Sequence, residues 1–193
     1  MTVPQILSTA KEVSQFRVNM TAIDYVEEVQ EGLPEVKGDL NQLADCCFNL
    51  LTNAYDAVQR KATQISERQI SPSPNDPVPF KGKIWIRARS EKKEGRTWVL
   101  LELQDNGTGM SQQELENLFV PFFTTKATAQ KGTGLGLYVI QRIMERHGGS
   151  IHAASKQGVG TTFTLRIPVA VEKPEAPATP VGEVGNGEKS AAA

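Results

Sequence analysis

The sequence predicts an α/β fold: a two-layer sandwich in which a mixed, mostly antiparallel sheet carries helices on one face. Three observations carry that prediction. Between Leu40 and Ala57 the apolar residues Leu40, Leu43, Cys47, Leu50, Leu51, Ala54 and Ala57 recur with a helical period, marking a helix with one buried side. Two pairs of apolar runs, IWIRARS with TWVLLELQ and SIHAAS with TTFTLRIPV, are each joined by a glycine-bearing turn, KKEGR and KQGVG, as in β-hairpins. A second helical stripe, Leu137, Ile140, Ile143, Met144 and His147, lies between the two pairs.

Taken in order, residues 4–15 place Ile6, Leu7, Ala10 and Val13 at helical spacing, giving a short amphipathic helix or the end of a longer one. In residues 16–25, Phe16, Val18, Met20 and Ala22 alternate with their neighbours as a half-buried strand does. Pro34 and Gly38 punctuate the next connection, and Asp39 is placed to cap the long helix. Residues 60–83 are polar and hold four prolines; such a segment continues neither a helix nor a central strand, so it reads as an exposed insertion. The first hairpin then delivers Asp105 at a strand end. Ser111 with Glu114 forms a capping-box pattern that opens a short helix, SQQELENLF. The helix over 135–147 stops at Gly148, which supplies a left-handed residue. From about residue 171 the chain has almost no bulky apolar side chain, so residues 171–193 are expected to be disordered.

Composition narrows the function. A chain of 193 residues is long enough to bury a core, and a net charge of −1 gives no electrostatic case for nucleic acid. Cys46 and Cys47 are adjacent on a helix and point in different directions, so they read as buried structural thiols of a reducing compartment rather than a metal pair or a disulfide. No apolar run reaches about 18 residues and no basic-then-apolar leader opens the chain, so a cytoplasmic segment without membrane contact is expected.

The most informative stretch is 105–149, with DNGTGM at one end, KGTGLGLYVIQRIMERHGG at the other and FVPFFTTK between. Asp105 would stand at a strand end, with Gly107 and Gly109 letting the backbone approach a flat ligand. Gly132, Gly134 and Gly136 lead into a helix whose first N–H groups and positive dipole end suit phosphate. The stretch fits neither a Walker loop nor a Rossmann fingerprint, since neither glycine cluster carries GK-Ser/Thr and the second follows ATAQK in place of a strand. It is also no serine/threonine kinase, for an HRD segment is absent and DNG is not DFG. On the long helix Asp45, Asn49, Asn53 and Asp56 stack along one edge, either as a solvated polar face or as a site.

Read with NLLTNAYDAV at 49–58, these motifs resemble the ATP-binding catalytic domain of two-component sensor histidine kinases, in the superfamily shared with gyrase, mismatch-repair and chaperone ATPases. The resemblance covers residues 17–170 and four motifs in the family's order: an Asn-rich helix, Asp-x-Gly-x-Gly, a phenylalanine segment and a glycine-rich lid. It implies the Bergerat-type ATP-binding fold, with the catalytic domain over 16–170 and residues 1–15 as a linker or remnant of a dimerisation helix.

The resemblance also implies roles. Asp105 accepts from the exocyclic amine of adenine, and Thr161 supports that aspartate, although a plain strand threonine is the competing reading. Asn53 ligates Mg²⁺ through its side-chain oxygen, which suits a hard cation whose other ligands are phosphates and water. Asn49 stands where gyrase-type enzymes carry a glutamate that activates water; an amide cannot act as a general base, so slow hydrolysis and transfer to a better nucleophile follow. Phe119, Phe122 and Phe123 pack beneath a lid over 127–136. Lys126, and as a second candidate Lys131, meets phosphate, and Gly132, Thr133, Gly134, Leu135, Gly136 and Leu137 wrap the phosphates. His147 and His152 are the only histidines, and neither matches the phosphoacceptor pattern. The acceptor is therefore expected on a dimerisation domain outside this chain, within a homodimeric and possibly membrane-anchored protein that signals to a response regulator. A gyrase-type ATP hydrolase and a nucleotide-gated module that transfers nothing are the rival readings.

Overall fold

The computed structural model describes residues 1–72, 79–124 and 134–170. Its elements are α1 (Val3–Ser14), a 3-10 turn at Met20–Ala22, β1 (Asp24–Val29), α2 (Leu40–Ser66), β2 (Lys83–Lys93), β3 (Arg96–Asp105), α3 (Gln112–Glu116), α4 (Gly136–Arg146), β4 (Ser150–Lys156) and β5 (Gly160–Pro168). The five strands form one sheet in the order β1-β2-β3-β5-β4. β1 runs parallel to β2, as a strand reached through a crossover helix can, and the other neighbours are antiparallel. This is the mixed, mostly antiparallel sheet the hairpin pattern predicts.

One sheet face is apolar. Ile84, Ile86 and Ala88 of β2, Val99, Leu101 and Leu103 of β3, and Phe163, Leu165 and Ile167 of β5 are all buried in a single core with Leu43, Leu50, Leu51 and Ala54 of α2. Ile140, Ile143 and Met144 of α4 join the same core, and so do Val3, Ile6, Leu7 and Ala10 of α1. Of the apolar stripe read for residues 4–15, Ile6, Leu7 and Ala10 are buried here and Val13 is exposed. The opposite face is mostly polar or aromatic, with Leu100 buried among those side chains. There Arg166 lies 4.2 Å above the Trp98 ring and Lys83 lies 4.7 Å above Trp85.

Two local expectations shift. Residues 16–23 do not form a strand; the Asn19 side-chain oxygen Oδ1 accepts from the Thr21 amide at 3.2 Å and from its hydroxyl at 2.7 Å, closing a turn. The strand begins after it, at Asp24, so Phe16 is left 86% exposed while Val18 and Ile23 enter the core. The exposed insertion expected from residue 60 also starts later. No proline occurs between Arg60 and Pro72, so nothing there breaks the backbone ladder, and α2 continues to Ser66 with Lys61 fully buried. Residues 73–78 of that segment, and the tail expected to be disordered, lie outside the described residues.

The caps form as read. Asp39 accepts from the Gln42 amide at 2.9 Å to start α2, and Ser111 with Glu114 closes a capping box on α3. His147, at the end of α4, accepts at Nε2 from the Asp39 amide at 2.9 Å, while its Nδ1 lies 2.8 Å from the Ile143 carbonyl. The ring is therefore the neutral tautomer with its proton on Nδ1. It ties the end of α4 to the start of α2, the two helices that carry the site.

Candidate functional site

A cavity of about 740 Å³ opens between α2, the ends of β3 and β5, the loop after β3 and the start of α4. Asn49 and Asn53 enter from α2, Asp105 and Thr161 from neighbouring strands, Gly109 from the loop, and Gly134, Gly136 and Leu137 from the α4 side. Residues distant in sequence are thus assembled on one concavity.

Asp105 forms its floor. It is the last residue of β3 and lies between Ile84 of β2 and Thr161 of β5, at the centre of the sheet. Its side chain is only 4% exposed. The Gly107 amide donates to Oδ1 at 2.8 Å, and the Thr161 amide also donates to the carboxylate. Burial pushes its pKa up to about 7, opposed by those two N–H groups and by the positive charges of Lys61 and Arg60. A carboxylate so placed accepts hydrogen bonds when ionised and is strongly perturbed, as functional carboxyls are.

The loop behind it is held from several sides. The Lys61 ammonium donates to the Asn106 carbonyl at 3.0 Å, and Asn106 Oδ1 accepts from the Lys83 amide at 2.7 Å. The Thr108 amide donates to the Ala57 carbonyl at 3.3 Å, and the Gly158 amide donates to the Thr108 carbonyl at 2.7 Å. A Cβ on Gly107 would stand 2.6 Å from the Ala57 backbone, and one on Gly109 would stand 2.0 Å from the Lys156 carbonyl oxygen. These glycines therefore let the loop lie against α2 and the β4–β5 turn. Gly109 lines the cavity as well; Gly107, expected beside a ligand, is not among the lining residues.

On the α2 side, the Asn49 amide donates to the Asp45 carbonyl at 2.8 Å, and its Oδ1 lies 3.7 Å from the point a Cβ on Gly136 would occupy. Asp56 and Arg60 continue the Asn49–Asn53 edge into the cavity. Asp56 was part of the sequence stripe but had no role, and Arg60 was missed because it had been assigned to the insertion. The further lining residues Arg17, Thr108, Met110 and Gln157 carried no signal in the sequence.

The phenylalanine segment is arranged differently from expectation. Phe122 has a positive φ of 65° and is 73% exposed, so its ring leaves the cavity, and the adjacent Phe123 lines it together with Leu118. Phe119 packs against the core. Leu135 is the N-cap of α4 and does not line the cavity. Lys126, Lys131, Gly132 and Thr133, with most of the expected lid, lie outside the described residues.

Residues 38–171 match the model of the family described as histidine kinase-, DNA gyrase B- and HSP90-like ATPase. The chain belongs to this ATPase family. It is 33% identical over 169 residues to the sensor histidine kinase ZraS of Escherichia coli, and 34% identical over 183 residues to the sensor kinase CckA of Brucella abortus. Those alignments take in 88% and 92% of this chain but 29% and 18% of the relatives, so the chain spans under a third of either. Among solved structures, the catalytic domain of histidine kinase ThkA superposes with a TM-score of 0.64 at 23% identity, covering 88% of this chain and 93% of that one. The mycobacterial sensor histidine kinase MprB gives 0.61 at 22%, covering 86% and 93%. These likenesses agree on the fold of this ATPase domain. Among the described residues no helix is long and apolar enough to cross a membrane.

Proposed function

We propose that this ATPase-family chain is the catalytic domain of a sensor histidine kinase, which binds ATP with Mg²⁺ and delivers the γ-phosphoryl group to a histidine on a dimerisation domain outside the chain. The observation that carries the reading is the meeting of Asp105, Asn53 and the α4 glycines on one cavity. Its volume of about 740 Å³ falls within the range of small-molecule sites, roughly 300–1,000 Å³.

Each residue has a task that its chemistry permits. Ionised Asp105 accepts from the adenine amine, and the first turn of α4 offers the dipole end that favours phosphate. Lys126 meets phosphate from the lid, and Gly132 and Thr133 complete the wrap. No group of three or more His, Cys, Asp or Glu residues that could hold a metal occurs among the described residues. That donor set fits an ion that arrives with the nucleotide and takes one amide oxygen from Asn53. Bound there, Mg²⁺ would neutralise charge on the phosphates. Asn49 cannot take a proton from water, so hydrolysis is disfavoured and a neutral imidazole is the better acceptor. His147 is not that acceptor, for its Nε2 lone pair already binds the Asp39 amide. The full protein is read as a homodimer that passes the phosphoryl group to a response regulator.

The test mixes the chain with ATP labelled at the γ-phosphate and a histidine-bearing dimerisation domain. Acid-labile label on the partner is expected; fast turnover without a partner would instead indicate a hydrolase. For Asn53→Ala we expect Mg²⁺ to lose its tightening of ATP binding in calorimetry, and an unchanged titration would remove Asn53 as a ligand. Lys61→Met takes away a positive charge that holds Asp105 down. The pH at which ATP binding is half-maximal should therefore move upward, read from titrations across pH 6–9; a downward move would contradict the coupling.

A further inference from the structure

Ser155 of β4 lies directly across from Thr161 of β5 in the antiparallel register. Its hydroxyl makes three hydrogen bonds. It donates to the Gly160 carbonyl at 3.0 Å, accepts from the Met110 amide at 2.9 Å, and lies 2.9 Å from Thr161 Oγ1. A serine hydroxyl has one proton and two lone pairs. A carbonyl can only accept, so the proton goes to Gly160; the Met110 N–H fills one lone pair. The second lone pair is left for Thr161, which must be the donor in that contact. With its own proton committed to Ser155, Thr161 offers the cavity lone pairs only. Thr161 is also the register partner of Asp105, and both line the cavity.

We infer that Ser155 is a positioning residue: it fixes the direction of the Thr161 hydroxyl so that the cavity floor presents two acceptors and selects a 6-aminopurine nucleotide over a 6-oxopurine one. The inference rests on the ATP reading. An exocyclic amine carries two N–H donors, which can satisfy ionised Asp105 and Thr161, directly or through one bridging water. A 6-oxo group brings only lone pairs to those oxygens and leaves them unpaired, which is the strongest form of rejection a polar site has. Without the Ser155 oxygen, the Thr161 hydroxyl is free to turn its proton toward the base and accommodate a carbonyl.

The experiment measures dissociation constants for ATP and inosine triphosphate, whose bases differ in the 6-substituent and in the proton on N1, by calorimetry on the whole chain. Ser155→Ala is expected to lower the preference for ATP about tenfold, mostly by tightening the inosine nucleotide. In a Thr161→Val background the same change should have no further effect on the preference, since no hydroxyl remains to direct. An unaltered ratio in Ser155→Ala, or an effect that persists in Thr161→Val, overturns the inference and leaves Ser155 as a packing residue. Ser155→Thr keeps the hydroxyl and should keep the native ratio, which guards against a folding defect; loss of the ratio there also overturns it. If the native chain binds neither nucleotide, it is the ATP reading that fails.

Discussion

Asp105→Asn should cost about a hundredfold in ATP affinity, the scale of losing a charge-assisted hydrogen bond inside a cavity. It should also flatten two pH profiles. The carboxyl titrates near 3.8 in an unfolded chain and about 7 in the folded one. Between those values the native state holds a proton that the unfolded state releases. The associated stability is therefore present in full below about pH 4 and lost as pH rises through about 7, on the order of 4 kcal/mol at about 1.4 kcal/mol per unit. Nucleotide binding runs the other way, because the ionised form accepts the amine. Apparent ATP affinity should fall roughly tenfold per pH unit below 7 and level off above it. Urea denaturation at pH 5 and pH 8, with calorimetry over the same range, checks both slopes. An ATP affinity indifferent to pH would remove Asp105 from the base site.

Gly109→Ala should be strongly destabilising. The residue has φ +61°, and the added carbon would stand 2.0 Å from the Lys156 carbonyl oxygen and 2.7 Å from its carbon. These are backbone atoms of the β4–β5 turn and cannot rotate aside. Left-handed strain of roughly 1–2 kcal/mol is joined by displacement of the loop or the turn, for a total above about 3 kcal/mol. Gly148→Ala is the control: its φ is +71° but nothing lies within 4 Å of the new carbon, so about 1 kcal/mol is expected. Urea midpoints of the two variants decide the matter. Equal losses would mean that the loop does not rest on the turn. ATP affinity should fall in Gly109→Ala alone, since Gly109 lines the cavity and Gly148 does not.

The parts of the fold legible in the sequence are those set by local period. The α2 stripe and both hairpins announce themselves through residues one or two turns, or two positions, apart. Residues 16–25 misled because Phe16 and Val18 alternate like a strand, while the turn made by Asn19 depends on one side-chain oxygen. The end of α2 was placed early because the later prolines were read back onto Arg60, where no backbone obstacle exists. In the site, Asn49, Asn53 and Asp105 are readable because motif spacing fixes which helix edge or strand end they occupy. Choosing Phe123 over Phe122 is not readable, for a single left-handed residue reverses which ring turns inward. Ser155 is invisible for another reason: its importance comes from standing opposite Thr161 on a neighbouring strand, and pairing across strands leaves no trace in a linear pattern.

The chain's two indoles, Trp85 and Trp98, alternate with core residues along β2 and β3, so they stand on the sheet face turned away from the core, and neither lines the cavity. Intrinsic emission should consequently track denaturation while staying silent during ligand titration. The same optical signal can then measure how much a saturating nucleotide raises the melting point, uncontaminated by quenching from the purine.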